Sequence, residues 1–121
     1  MIERLAEKVN ADTALVRRGR FLNVVFLFDD GNVPWLITVT AGRIESAVKG
    51  PFVMASYTFG LRARTDAWAK FCQAEPEPGF HDIMALIKQR LLKIEGNVHP
   101  FMANLFYFKA VLAKLRKERA V

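Results

Sequence analysis

The sequence predicts an α+β domain, one mixed sheet with helices gathered on one face. Three observations lead there. Residues 21–28 are apolar at every position but Asn23, as an interior strand covered on both sides would be. Residues 34–40 and 43–49 alternate apolar and polar side chains about an Ala41-Gly42 turn. Apolar residues recur at helical spacing at both ends of the chain.

Each element has its own warrant. Ile2, Leu5, Ala6 and Val9 are spaced as one face of a short amphipathic helix over 2–9. Asp12 is placed to cap a further turn to about residue 17, which Gly19 ends. In the first strand, Leu22, Val24, Phe26 and Phe28 form the main core face, because polar Asn23 and Asp29 share the other parity. Asp29-Asp30-Gly31-Asn32 is a turn by composition. The second strand sets Trp35, Ile37 and Val39 against Leu36, Thr38 and Thr40. The third sets Ile44, Ser46 and Val48 against Arg43, Glu45 and Lys49, and the three strands make an antiparallel meander. After Gly50-Pro51, residues 53–63 read as a fourth strand with Val53, Ala55, Tyr57, Phe59 and Leu61 on one face.

Thr65 is expected to cap a helix carrying Trp68 and Phe71. The stretch Glu75-Pro76-Glu77-Pro78-Gly79 is a stiff connector, and a helix over 80–90 follows with Ile83, Met84, Leu86 and Ile87 in its apolar set. Residues 91–95 give a fifth strand. A final helix runs from Pro100, suited to a first helical position, to about residue 116. Its seam of Phe101, Leu105, Phe108, Leu112 and Leu115 is widened by Met102, Phe106 and Val111, more apolar surface than a narrow stripe.

The chain has 121 residues, enough for a single domain spanning 1–121 with a charged tail over about 114–121. With 52% apolar and 25% charged residues it is a folded chain rather than a disordered one. A lone cysteine, Cys72, excludes an internal disulfide and fits a reducing compartment. The first residues do not read as a secretion signal, no run is long enough to span a membrane, and the last three are not a peroxisomal address, so a cytoplasmic location is expected. The net charge of +6 is mostly scattered, with local excesses at Arg17, Arg18 and Arg20 and from Lys109 to Arg119.

The residues that could carry chemistry point away from catalysis. His81, His99 and Cys72 are isolated, without the spacing of a metal site. Asp29-Asp30 is explained by turn chemistry. Ser46 and Ser56 stand in no nucleophile-elbow sequence, and the glycines form no phosphate cradle. No enzymatic activity and no cofactor are expected. Nucleic acid is not the expected partner either, because Phe26, Phe28, Tyr57 and Phe59 lie on the apolar parity and not on an exposed basic face.

Two stretches resemble the type-two sterol carrier protein lipid-binding family. Trp35-Leu36-Ile37-Thr38-Val39-Thr40-Ala41-Gly42-Arg43-Ile44 is similar to the family's second strand, tight turn and strand restart. Leu92-Lys93-Ile94-Glu95-Gly96-Asn97 is similar to its fifth strand and following turn. The resemblance spans roughly residues 1–115 and looks like that of a bacterial stand-alone member. Arg90 departs from it by standing where glycine is common, and Asn97 by standing where aspartate is usual.

What the resemblance implies is a five-stranded sheet in the order 3-2-1-4-5, with an apolar tunnel between sheet and helices. Such a domain binds sterols, fatty acyl chains or acyl-CoA without altering them. The expected wall is Phe26, Phe59, Met84, Ile87, Leu91, Met102, Leu105 and Phe106, with the last helix standing off the sheet as a lid. Each methylene buried there would contribute about 0.8 kcal/mol, and methionines repack around guests of different shape. A basic cluster would meet a CoA phosphate or a transient anionic membrane surface. Two other roles stay open. One is an accessory subunit that presents a polyprenyl-quinone or acyl intermediate to a partner enzyme. The other is a dimeric interaction module with a collapsed cavity, paired through Val25 and Leu36. The same Phe, Leu and Met residues at helical spacing also suit ordinary core.

Overall fold

In a computed structural model of the protein, residues 2–116 are described. A 3-10 turn at Ile2–Arg4 leads into α1 (Leu5–Ala11) and α2 (Thr13–Arg18). Four strands follow: β1 (Asn23–Asp29), β2 (Pro34–Thr40), β3 (Arg43–Lys49) and β4 (Phe59–Ala63). Then come α3 (Thr65–Phe71), α4 (Ile83–Lys88), β5 (Leu92–Gly96), α5 (His99–Ala103) and α6 (Leu105–Ala113). The sheet order is β3-β2-β1-β4-β5, with β1 parallel to β4 and the other neighbours antiparallel. The expected class and strand order are those observed.

The central strand is apolar for the reason its sequence gives. Phe26 and Phe28 are fully buried towards the helices, while Leu27, on the other face, is also buried. The helix side of the sheet (Phe26, Phe28, Ile37, Val39, Ile44, Phe59 and Leu61) forms one cluster with Leu5, Val9, Leu15, Trp68, Phe71, Leu86, Phe101, Phe108 and Leu112. Asp12 caps α2 by accepting from the Leu15 N–H at 3.1 Å. Asn10 covers edge strand β3: its amide donates to the Ile44 carbonyl and accepts from the Ile44 N–H.

The sequence reading needs correction in four places. The fourth strand starts at Phe59, not at 53. The link from β3 to β4 must pass over β2 and β1, and residues 50–58 do this on the face away from the helices. There Phe52, Ala55 and Tyr57 share a shallow pocket with Leu27 and Pro34. Met54, in the left-handed region at φ 55, breaks the extended run, and Val53 and Met54 are left in solvent. The final helix is not continuous. At Asn104 the backbone leaves helical geometry (φ −121, ψ 35), which splits the run into α5 and α6, and the side chain donates to the Pro100 carbonyl at 2.9 Å alongside the Asn104 N–H. Thr65 opens α3 without capping it, its hydroxyl donating to the Asp30 carbonyl instead. The chain past Lys114 is not simply solvated. Leu115 is buried, and the Arg116 guanidinium lies over the Phe71 ring and donates to the carbonyls of Phe71, Phe80 and His81. The rest of the expected tail, 117–121, lies outside the described residues.

Candidate functional site

The space expected between sheet and last helix is filled by aromatic rings. Phe26 stacks on Phe59 at 5.3 Å between centroids, Phe108 meets both edge-on at 5.6 and 5.3 Å, and Phe101 lies 5.5 Å from Phe59 and from Phe108. Offset and edge-to-face contacts at these distances are close packing. The last helices therefore lie on the sheet at this point and do not stand off it.

The eight residues singled out as a lipid wall are consequently distributed over several places. Phe26 and Phe59 belong to the ring cluster. Met84 and Ile87 are half-buried on α4 against the core. Leu105 and Phe106 line a surface pocket of about 470 Å³ with Arg18, Ala103, Asn104 and Tyr107. Met102, on the preceding helix, is 49% exposed and Phe106 is 72% exposed. Leu91 lines a separate groove. The two residues considered for a paired sheet face, Val25 and Leu36, are each half-buried.

The groove at Leu91 has the most defined chemistry. It measures about 500 Å³ and lies where the end of β4, the start of α3 and the start of β5 meet. Ala63, Ala67, Phe80 and Leu91 supply apolar wall, and Arg62, Arg64, Lys70, Arg90 and Lys93 supply positive charge against the single carboxylate of Asp66. The volume is in the range of small-molecule sites, but six of the ten lining residues are charged, so the apolar floor is ringed by ionic groups. Its cations come from three different stretches of sequence, which is why no charge run revealed them.

Two of these cations are held by identifiable means. Arg62 projects from the sheet face opposite the helices, where it donates to Asp29 at 2.8 Å and to Glu95 at 2.5 Å. Tyr57 Oη joins by donating to Glu95 at 3.3 Å. Chiefly through the Glu95 bond, the Arg62 pKa is raised above its ordinary value, and the same bond lowers that of Glu95. Arg90 ends α4 in a Schellman arrangement, with the Arg90 N–H bonded to the Ile87 carbonyl and the Leu91 N–H to the Leu86 carbonyl. This puts Arg90 at φ 62, a conformation that glycine adopts freely and arginine only at a cost.

No protein-family model matches the chain, and no curated protein matches it. Solved structures do. Sterol carrier protein 2 superposes with a TM-score of 0.75 at 12% identity, covering 97% of this chain and 94% of the other. The chain has the sterol carrier protein fold. A conserved hypothetical protein from Thermus thermophilus, described as a candidate sterol carrier protein, superposes at 0.66 with 12% identity, over 96% of this chain and 86% of that one. The ubiquinone synthesis protein UbiJ-SCP2 does so at 0.59 with 15% identity, over 93% and 85%. In this version of the sterol carrier protein fold, Arg90 and the other groove cations surround an apolar floor at the sheet's β5 edge.

Proposed function

We propose that this protein binds, without chemical change, a lipid bearing an alkyl chain and an anionic head, of the fatty-acid or acyl-CoA class. The chain lies along Ala63, Ala67, Phe80 and Leu91, and the head meets Lys70, Arg90 and Lys93. The observation that carries this reading is an apolar floor rimmed by Lys70, Arg90 and Lys93, with Arg62 and Arg64 beside them already paired to Asp29, Glu95 and Asp66, and with Arg90 held in a costly backbone conformation. Strain kept at a surface position is a pointer to function. The sterol carrier protein fold supports lipid binding in general.

A second reading, delivery of a polyprenyl or acyl intermediate to a separate enzyme, is supported by the likeness to the ubiquinone synthesis protein. The cationic rim favours an anionic head over a neutral prenyl chain.

Titration of the full chain with palmitate, palmitoyl-CoA and a neutral sterol tests the proposal. The two anionic lipids should bind, and the sterol should bind far more weakly. Arg90→Glu and Lys93→Glu should each weaken binding by about tenfold or more, the loss of a charge-assisted hydrogen bond. Leu91→Glu should abolish it, while Met102→Glu should leave it unchanged. Loss of binding in Met102→Glu with retention in Leu91→Glu would instead place the ligand under the last helices and overturn the assignment to the groove.

A further inference from the structure

Arg116, just past the end of α6, reaches the back of the groove without lining it. Its guanidinium lies 4.6 Å from the Phe71 ring centroid. Through Nε it donates to the Phe71 carbonyl at 3.0 Å, and through Nη2 to the carbonyls of Phe80, at 3.4 Å, and His81. Phe80 is a wall of the groove. Taking the groove as the lipid site, we propose that Arg116 is a positioning residue for binding. It holds the connector between α3 and α4 so that Phe80 and Lys70 stand in place before the ligand arrives.

The connector, residues 72–82, has no helix or strand of its own to fix it. Side chains from elsewhere do so, one backbone position after another. Gln89, closing α4, donates to the Gly79 carbonyl at 2.7 Å. Arg116 takes the next two carbonyls. Asp82 pairs with Lys109 of α6 at 3.0 Å. Phe80 therefore sits in the middle of a tied stretch, and Lys109 and Arg116 tie it to the last helix.

Phe80 passes the effect on. The Lys70 ammonium lies 5.2 Å from the Phe80 ring centroid, so the ring that walls the groove also steadies one of its rim cations. The arrangement suits arginine and not lysine. Carbonyls on two separate segments need a planar fork of several N–H groups, and the face of the same plane covers the Phe71 ring. An ammonium can keep the ring or one carbonyl, but not the set. A wall held beforehand loses less freedom when the ligand binds, and that difference appears as affinity.

Palmitate titration of the full chain and its variants is the test. Arg116→Ala should weaken binding by about tenfold, because the ligand must then order Phe80 and Lys70 itself. Arg116→Lys should be about as weak, since it keeps the charge and loses the fork. A double-mutant cycle separates positioning from stability. In a Phe80→Ala background, Arg116→Ala should cost no further affinity, whereas a general loosening of the fold would weaken both backgrounds alike. Amide hydrogen exchange in Arg116→Ala should quicken over residues 73–82 and stay unchanged in β1 and β2. If Arg116→Ala does not fold, the same cycle with Arg116→Lys decides the matter. Parent-like affinity in the Arg116 variant, or an equal further loss in the Phe80→Ala background, would overturn the proposal. Leu91→Glu distinguishes this failure from that of the groove. Binding abolished in Leu91→Glu but parent-like in Arg116→Ala sinks the positioning role alone, and parent-like binding in Leu91→Glu removes the groove and this role with it.

Discussion

At the scale of single residues, Gly19 shows how little space the fold leaves. It sits between the Tyr107 ring and the Gly42 backbone, and Tyr107 Oη donates to the Gly42 carbonyl at 2.7 Å. Burial pushes the Tyr107 phenol up to about 12, which keeps it a donor across the whole physiological range. Adding one methyl at Gly19 must displace the ring and strain that bond. Gly19→Ala is therefore expected to destabilise the protein by about 2 kcal/mol, the usual cost of overpacking. Thermal unfolding followed by circular dichroism should show a melting point several degrees lower. An unchanged melting point would mean that the α2–α6 contact yields easily. Nothing in the sequence distinguishes Gly19 from an ordinary helix-ending glycine, because the ring it meets lies 88 residues further along the chain.

At the scale of elements, what was legible followed local pattern, and what was not followed connectivity. The alternation of β2 and the apolar run of β1 identified both strands, because the cause of each pattern lies within the strand. The stretch 53–57 has the same alternation, yet it is a crossover. It misled because its form is set by the need to reach the far side of β1, which periodicity does not encode. Asn104 was a readable sign of the break between α5 and α6, since asparagine favours caps and turns over helix interiors. The groove was the least legible feature. Leu91 was singled out for a wall between sheet and helices and not for this groove, whose cations are joined only when β4, α3 and β5 come together. Arg90 at the end of α4 gives a direct test of how stability and binding are divided. Arg90→Gly should raise stability by about 1 kcal/mol, since glycine adopts φ 62 without penalty. The same change should weaken palmitate binding several-fold. A variant that is more stable and binds equally well would show that the arginine has no part in recognition.

At the scale of the whole molecule, three carboxylates tie distant elements together, and all three are held below their ordinary values. Glu95 accepts from Arg62 and links β5 to β4. Asp12, at the start of α2, is lowered by Lys114 past the end of α6. Asp82, at the start of α4, is lowered against the opposing effect of its own burial by the Met84 N–H and by Lys109 of α6. A carboxylate with a depressed folded-state pKa stabilises the protein above its unfolded pKa and ceases to do so as pH falls through the folded value. The urea midpoint should therefore be flat from neutral pH down to about 5 and fall below the ordinary values of 4.5 for Glu95 and 3.8 for the aspartates. Glu95→Gln should flatten the upper part of that decline. A midpoint that climbs on acidification would contradict these couplings.

The register of β1 also has a directional consequence. The turn against which α2 ends lies level with Asn23, and the groove lies level with Asp29 at the opposite tip of the strand, about 20 Å away at the usual rise per residue. The two tips of the central strand are thus separate surfaces. A substitution at the Phe21 tip should leave the groove at the other tip as it was, so each end can be altered without the other reporting it.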